Sequence, residues 1–392
     1  MLPEAPDSLG GMPELAHHIA DVPASGIRRV FDAAHGLPDV IMLAIGEPDA
    51  EPAPHIAAAA ERAWADGFTD YTPNGGIPEF RAAVVEKLRA VNGIEVDVEQ
   101  VWSTVGATQA LYQAQGLVLD PGDEILVPDP GYTTFPMAAR MHSAMPVRYP
   151  LRPEHGFLPQ TSDLEKLVTR RTRALLINSP SNPLGVVFPE GTLRELLAFA
   201  KRHDLWVISD EVYEYFAHGR PHISIASLDD DDRVLSVFSL SKTYAMTGIR
   251  AGYLVTPPGL GDVLRRVQEG SISCINAPAQ YASIAALTGP QDAVAAAARH
   301  YRDNVAQATA LLRERGIRHY EPEGAFYLWV DVSHDVGEGD VQSWAERFVV
   351  EKRVAVAPGS AFGPSGEGWI RVCAASPTEA LLEGLSRLPV QI

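Results

Sequence analysis

Between residues 100 and 256 the chain alternates short apolar runs with stretches that carry apolar residues at helical spacing, and this alternation narrows the possible folds most. The runs 123–129 (DEILVPD), 173–179 (RALLINS), 205–211 (LWVISDE) and 234–241 (VLSVFSLS) read as strands buried on both faces. Helices are expected between them, at 107–119 and at 188–203, where FPEGTLRELLAFAKRH places apolar residues on one stripe. Such a pattern makes an α/β fold with a mostly parallel sheet covered by helices, and ligands of these sheets bind beyond the carboxyl ends of the strands. The pattern then changes. An Ala-rich helical run at 290–315 leads to GAFYLWVDV (324–332), a helix at 340–352, WIRVC (369–373) and a last helix, which reads as a smaller α+β domain. We expect a segment 1–45 that joins this small domain, a large domain at 46–285 and the small domain at 286–392.

Composition removes several function classes. With 392 residues, 46% hydrophobic and 21% charged, the chain can bury a sizeable core. A formal charge of −18 argues against nucleic acid or an anionic membrane as partner, because phosphate-binding surfaces need clustered Lys and Arg. The first twenty residues lack a basic and an apolar region, and no run approaches the ~20 apolar residues of a membrane span. A soluble, cytoplasmic protein is expected. Cys274 and Cys373 have no second Cys or His at ligand spacing and read as buried, inert thiols. The run Asp229 to Asp232 reads as a solvated loop, and no metal site is expected.

The ends of the apolar runs carry chemistry. One run ends in Asp210, another in Asn178 with Asn182 just beyond, and a third delivers Lys242 between Ser241 and Thr243. Singly, each has a plain explanation: a helix cap, a turn residue before Pro183, a lysine reaching solvent. Together they bring a carboxylate, an amide and an amine to one rim of a sheet. An amine in a crowded site has a lowered pKa, and imine formation with an aldehyde needs such a lysine. An aldehyde carrying a phosphate needs an anion cradle. VGATQAL (105–111) offers one, because Gly106 and Ala107 open a helix with exposed N–H groups, and Ser239, Ser241 and Arg250 add hydroxyls and a fixed cation.

Ser239-Leu240-Ser241-Lys242 followed by Gly248-Ile249-Arg250-Ala251-Gly252 resembles the pyridoxal-phosphate attachment signature of class I/II aminotransferases, of the aspartate aminotransferase fold type. LAIGEPD (43–49), YTPNGGIPEFR (71–81), VGATQAL, DPGYTTFP (129–136), NSPSNPLG (178–185), SDEVY (209–213), EGAFYLWVDV and WIRVC fall in the family's order, so the resemblance runs from about residue 25 to about 385. It implies a seven-stranded sheet in the large domain and pyridoxal 5'-phosphate as cofactor. It also implies a site. Lys242 would bind the aldehyde and carry the proton, Asp210 would face the pyridine nitrogen, and Asn182 and Tyr213 the phenolic oxygen. Tyr132 would stack on the ring, and Gly106, Ala107, Thr108, Ser239, Ser241 and Arg250 would hold the phosphate. Tyr71 would reach the neighbouring subunit's phosphate, which implies a homodimer. Arg371, with Gly46 and Asn182, would clamp the substrate α-carboxylate.

Two departures matter. Leu184 stands where the family usually has Thr, which removes a hydroxyl from that loop. Members that take aspartate commonly supply a second cation from the segment matching 268–281 or at the position of Thr108, and neither cation is present here. An acidic substrate is therefore not favoured over a neutral, aromatic or cationic one. Amino exchange between an amino acid and a 2-oxo acid is the expected activity. Elimination, decarboxylation or oxidation on the same site stands as an alternative, as does a regulatory module, although only some 24 residues precede the matching region.

Overall fold

The structure, a computed structural model, describes residues 15–390. The beginning of the expected 1–45 segment thus lies outside the described residues. A seven-stranded sheet forms the larger layer, in the order Val101–Thr104, Gly252–Val255, Val234–Ser239, Trp206–Asp210, Thr172–Asn178, Glu124–Asp129 and Met145–Pro150. Six of these strands run in one direction and only Gly252–Val255 runs opposite to them. The four strands read from sequence are present to within two residues at either end; the other three are shorter or less apolar and escaped that reading.

Alternation explains how one strand feeds two cores. In Thr172–Asn178, Ala174 and Leu176 face the helix Gly106–Val118, while Leu175 and Ile177 face the helix Glu190–Arg202. Burial of such side chains on both faces stabilises the layer by roughly 1.5–3 kcal/mol for each large aliphatic.

The second sheet is antiparallel, in the order Ala357–Pro358, Trp369–Cys373, Tyr327–Asp331 and His319–Tyr320. Ile370 and Val372 enter its core with Leu328 and Val330, so Arg371 between them points the other way. Ile41–Met42 pairs in parallel with Val354–Ala355, and the helix Gly26–Ala34 packs on the helix Val341–Lys352, so residues near the N-terminus and the C-terminal elements share one core.

Cys373 is buried, but Cys274 is only half-buried, which corrects the expectation for that thiol. The Asp229–Asp232 turn is held by its own chain: Asp229 accepts the Arg233 amide at 2.8 Å, and Asp231 pairs with Arg233. Among the described residues no helix is long and apolar enough to cross a membrane.

Candidate active site

The sheet register sets the site. Asn178 lies beside Asp210, Asp210 beside Val237, and Gly252 pairs with both Ser239 and Thr104. Four strands thus end along one rim, and within a few residues the chain delivers Gly106, Asn182, Tyr213, Lys242 and Arg250 above it. A cavity of about 440 Å³ opens there. Of the residues proposed from sequence, Gly46, Ala107, Thr108, Tyr132, Asn182, Asp210, Tyr213, Ser239, Ser241, Lys242, Arg250 and Arg371 line it. Gly106 forms the turn beneath it. Tyr71 lies elsewhere, 91% exposed on the surface.

Lys242 sits on a single helical turn, Leu240–Thr243, started by Ser239, whose Oγ accepts the Ser241 amide at 3.1 Å. Its Nζ donates to the carbonyl of Gly46 at 2.7 Å. Desolvation lowers its pKa to about 8; Cys373 and Glu47 oppose this, and Arg371 and Arg250 reinforce it. An amine of that pKa is partly neutral near pH 7, which fits it for nucleophilic attack and proton transfer.

Asp210 is 3% exposed. Burial raises its pKa to about 7 against a weak Val212 amide contact at 3.4 Å; Glu211 raises it further and Lys242 lowers it. Among the described residues it makes no ion pair. Tyr213 Oη lies 2.8 Å from Tyr327 Oη and 3.4 Å from Asn182 Nδ2, and burial pushes the Tyr213 hydroxyl well above its ordinary pKa.

Arg371 is buried. Its Nη1 donates to Asn182 Oδ1 at 3.0 Å and its Nη2 to the Ala44 carbonyl at 2.5 Å, while its Nε has no partner. The rings of Tyr327 and Phe362 lie 4.4 and 5.0 Å from the guanidinium carbon. At the other end, a Cβ on Gly106 (φ +68°) would stand 2.6 Å from Arg250 Nη2, so glycine serves both the turn and the close approach.

Tyr327 was missed as a site residue, since its place depends on a partner 114 positions away. It accounts for Gly46, where a Cβ would fall 2.1 Å from the Tyr327 hydroxyl oxygen. Ile27, Arg28 and Phe31 of the helix Gly26–Ala34 also line the cavity and were missed. Their spacing of i, i+1 and i+4 on one helix face was the available signal.

A family profile described as aminotransferase class I and II matches residues 38–388. The chain is 38% identical to aromatic-amino-acid aminotransferase 2 of Thermococcus litoralis, over 95% of this chain and 97% of that one. It is 39% identical to an aspartate aminotransferase of Pyrococcus abyssi, over 93% and 94%. A solved structure of a single mutant of Thermus thermophilus aspartate aminotransferase superposes with a TM-score of 0.90 at 35% identity, covering 96% of this chain and 99% of that one. Rim, lysine and buried guanidinium therefore define an α/β enzyme that handles amino groups. The chain belongs to the class I and II aminotransferases, and its cofactor is pyridoxal 5'-phosphate.

Proposed function

We propose that the chain exchanges an amino group between an L-amino acid and a 2-oxo acid in a ping-pong sequence, working as a homodimer, with Lys242 anchoring the cofactor. The observation that carries this reading is the buried Arg371, which has no carboxylate partner among the described residues and one guanidinium nitrogen without any partner. A permanently charged planar fork in a dry site suits a carboxylate. The α-carboxylate is common to amino acids and 2-oxo acids, so one clamp serves both halves of the exchange.

The residues present fit pyridoxal phosphate. The space that a Cβ would fill at Gly106 stays open beside Arg250, and with the helix start at Ala107 and Thr108, and with Ser239 and Ser241, it would hold the phosphate. Asp210, desolvated and without a cationic partner, would hold the ring nitrogen. Asn182 and Tyr213 would hold the phenolic oxygen, Tyr132 the ring face and Lys242 the aldehyde carbon. When bound, the cofactor supplies an electrophilic aldehyde and a ring that draws electron density from the substrate Cα. Arg371 and Asn182 then fix the α-carboxylate and with it the direction of the Cα–H bond. Lys242 Nζ would take the Cα proton of the amino acid in one half of the exchange and deliver a proton to the corresponding carbon of the 2-oxo acid in the other, a role its pKa of about 8 suits. The exposed Tyr71, with Trp64 (67% exposed) and Phe68 (45% exposed) nearby in sequence, marks the surface offered to a second subunit.

Single-turnover mixing of holoenzyme with a panel of amino acids tests this. A 2-oxo acid should form in stoichiometric amount before any second substrate is added, without ammonia or carbon dioxide; release of either gas would favour another reaction on the same site. Arg371→Ala should raise KM for every reacting amino acid and 2-oxo acid about 100-fold, and an unchanged KM would remove Arg371 from substrate binding.

A further inference from the structure

We infer that Asp129 is a positioning residue: it holds the loop 359–366, and that loop holds the guanidinium of Arg371 in place for the substrate carboxylate. The inference rests on the aminotransferase reading and names a residue outside the cavity lining on which the carboxylate clamp depends.

Asp129 ends the strand Glu124–Asp129, and its backbone is fixed there by the Leu151 amide, which donates to its carbonyl at 2.8 Å. Its side chain reaches the C-terminal elements. Oδ1 accepts the Ser365 amide at 3.2 Å, and two residues further on the Gly131 amide donates to the Phe362 carbonyl at 2.8 Å. Between those two points Gly363 passes the carboxylate at φ +134°, where a Cβ would stand 2.1 Å from Oδ1. Asp129 is buried, which raises its pKa, and Arg148 on the neighbouring strand opposes that shift. The loop also borders open space, a cavity of about 310 Å³ lined by Gly131, Thr133, Ser360, Ala361 and Phe362 among others. On that side no packing fixes it, and its place depends on the two hydrogen bonds.

The loop carries Phe362, whose ring lies 5.0 Å from the Arg371 guanidinium carbon and edge-on to Trp329 at 5.9 Å. The sheet fixes the Arg371 backbone, beside Trp329 and Ala357. The head group is held by Asn182, by the Ala44 carbonyl and by the rings of Tyr327 and Phe362, and the last of these moves with the loop. Tyr132 is held separately, its ring edge-on to Phe135 at 5.8 Å. Loss of the Asp129 contact therefore loosens the clamp and spares the cofactor's ring face.

Steady-state kinetics of the holoenzyme with the reacting amino acid and 2-oxo acid tests this. Asp129→Ala should raise both KM values about tenfold, against about 100-fold for Arg371→Ala, with the dissociation constant of pyridoxal phosphate within about twofold of wild type. Asp129→Asn keeps an oxygen that can accept the Ser365 N–H, so its KM should stay within about twofold of wild type. Gly363→Ala pushes the loop off the strand end and should raise KM as Asp129→Ala does, so the contact is read even if Asp129→Ala does not fold. A merely structural role would lower the fraction of active enzyme, and with it kcat, at unchanged KM. Unchanged KM in Asp129→Ala and Gly363→Ala, with Arg371→Ala still raising it, would overturn the role of Asp129 and leave the aminotransferase reading in place. Indifference of KM to Arg371→Ala as well would overturn both.

Discussion

Asp210 and Lys242 are held by burial in states that an isolated side chain would resist. The Asp210 carboxyl stands at about 7, whereas an unfolded aspartate titrates near 4. Between those values the folded apoprotein binds a proton that the unfolded chain does not. The contribution of Asp210 is therefore most favourable below about pH 4 and is lost as pH rises through about 7. Without cofactor, Asp210→Asn should exceed the wild type in unfolding free energy by roughly 2–4 kcal/mol at pH 8 and match it near pH 4. Denaturant titration at the two pH values checks this, and equal stability at pH 8 would mean the carboxylate is not stranded. Both residues were legible because each stands at the end of an apolar run. Tyr327 was not, because register across two sheets places it. Nor was Arg28, since an Arg-Arg pair on a short helix reads equally well as solvated surface.

At the scale of the element, the segment 209–216 divides its side chains between two tasks. Asp210 and Tyr213 face the cavity, while Glu211 and Glu214 enter a buried network behind it. Lys87 pairs with Glu214 and donates to Asn92 Oδ1 at 2.9 Å, Asn92 Nδ2 bonds Glu214 at 2.6 Å, and Ser224 and His222 bond Glu211 at 2.5 and 2.9 Å. Burial lowers the Lys87 pKa, and Glu214 opposes that shift. Removing the ammonium leaves the Glu214 side chain buried and short of its main partner. Lys87→Met should therefore cost about 3–5 kcal/mol of stability in urea unfolding, and a cost under about 1 kcal/mol would show that the pair is not held in solution. The strands and helices around this segment were readable from apolar runs. The network was not, because Lys87 lies in a stretch that gives no sign of burial and its charge partner Glu214 is 127 residues away.

For the whole molecule, the parallel sheet and the smaller C-terminal sheet followed from where the apolar pattern changed, whereas the antiparallel strand Gly252–Val255 did not, being too short to declare its direction. The proposed homodimer rests on Tyr71, which is exposed and does not line the cavity of its own chain. If Tyr71 acts across the interface, mixed dimers of Lys242→Ala and Tyr71→Ala chains contain one intact site. Co-refolding the two variants should restore about a quarter of wild-type activity, and recovery of none would place Tyr71 outside the partner's site.

The central claim is that Lys242 is the covalent anchor of the cofactor, and hydride reduction of the holoenzyme followed by peptide mass mapping tests it most directly. The phosphopyridoxyl mass should appear on the peptide containing Lys242 and on no other. Its appearance on a different lysine, or on none, would contradict the account.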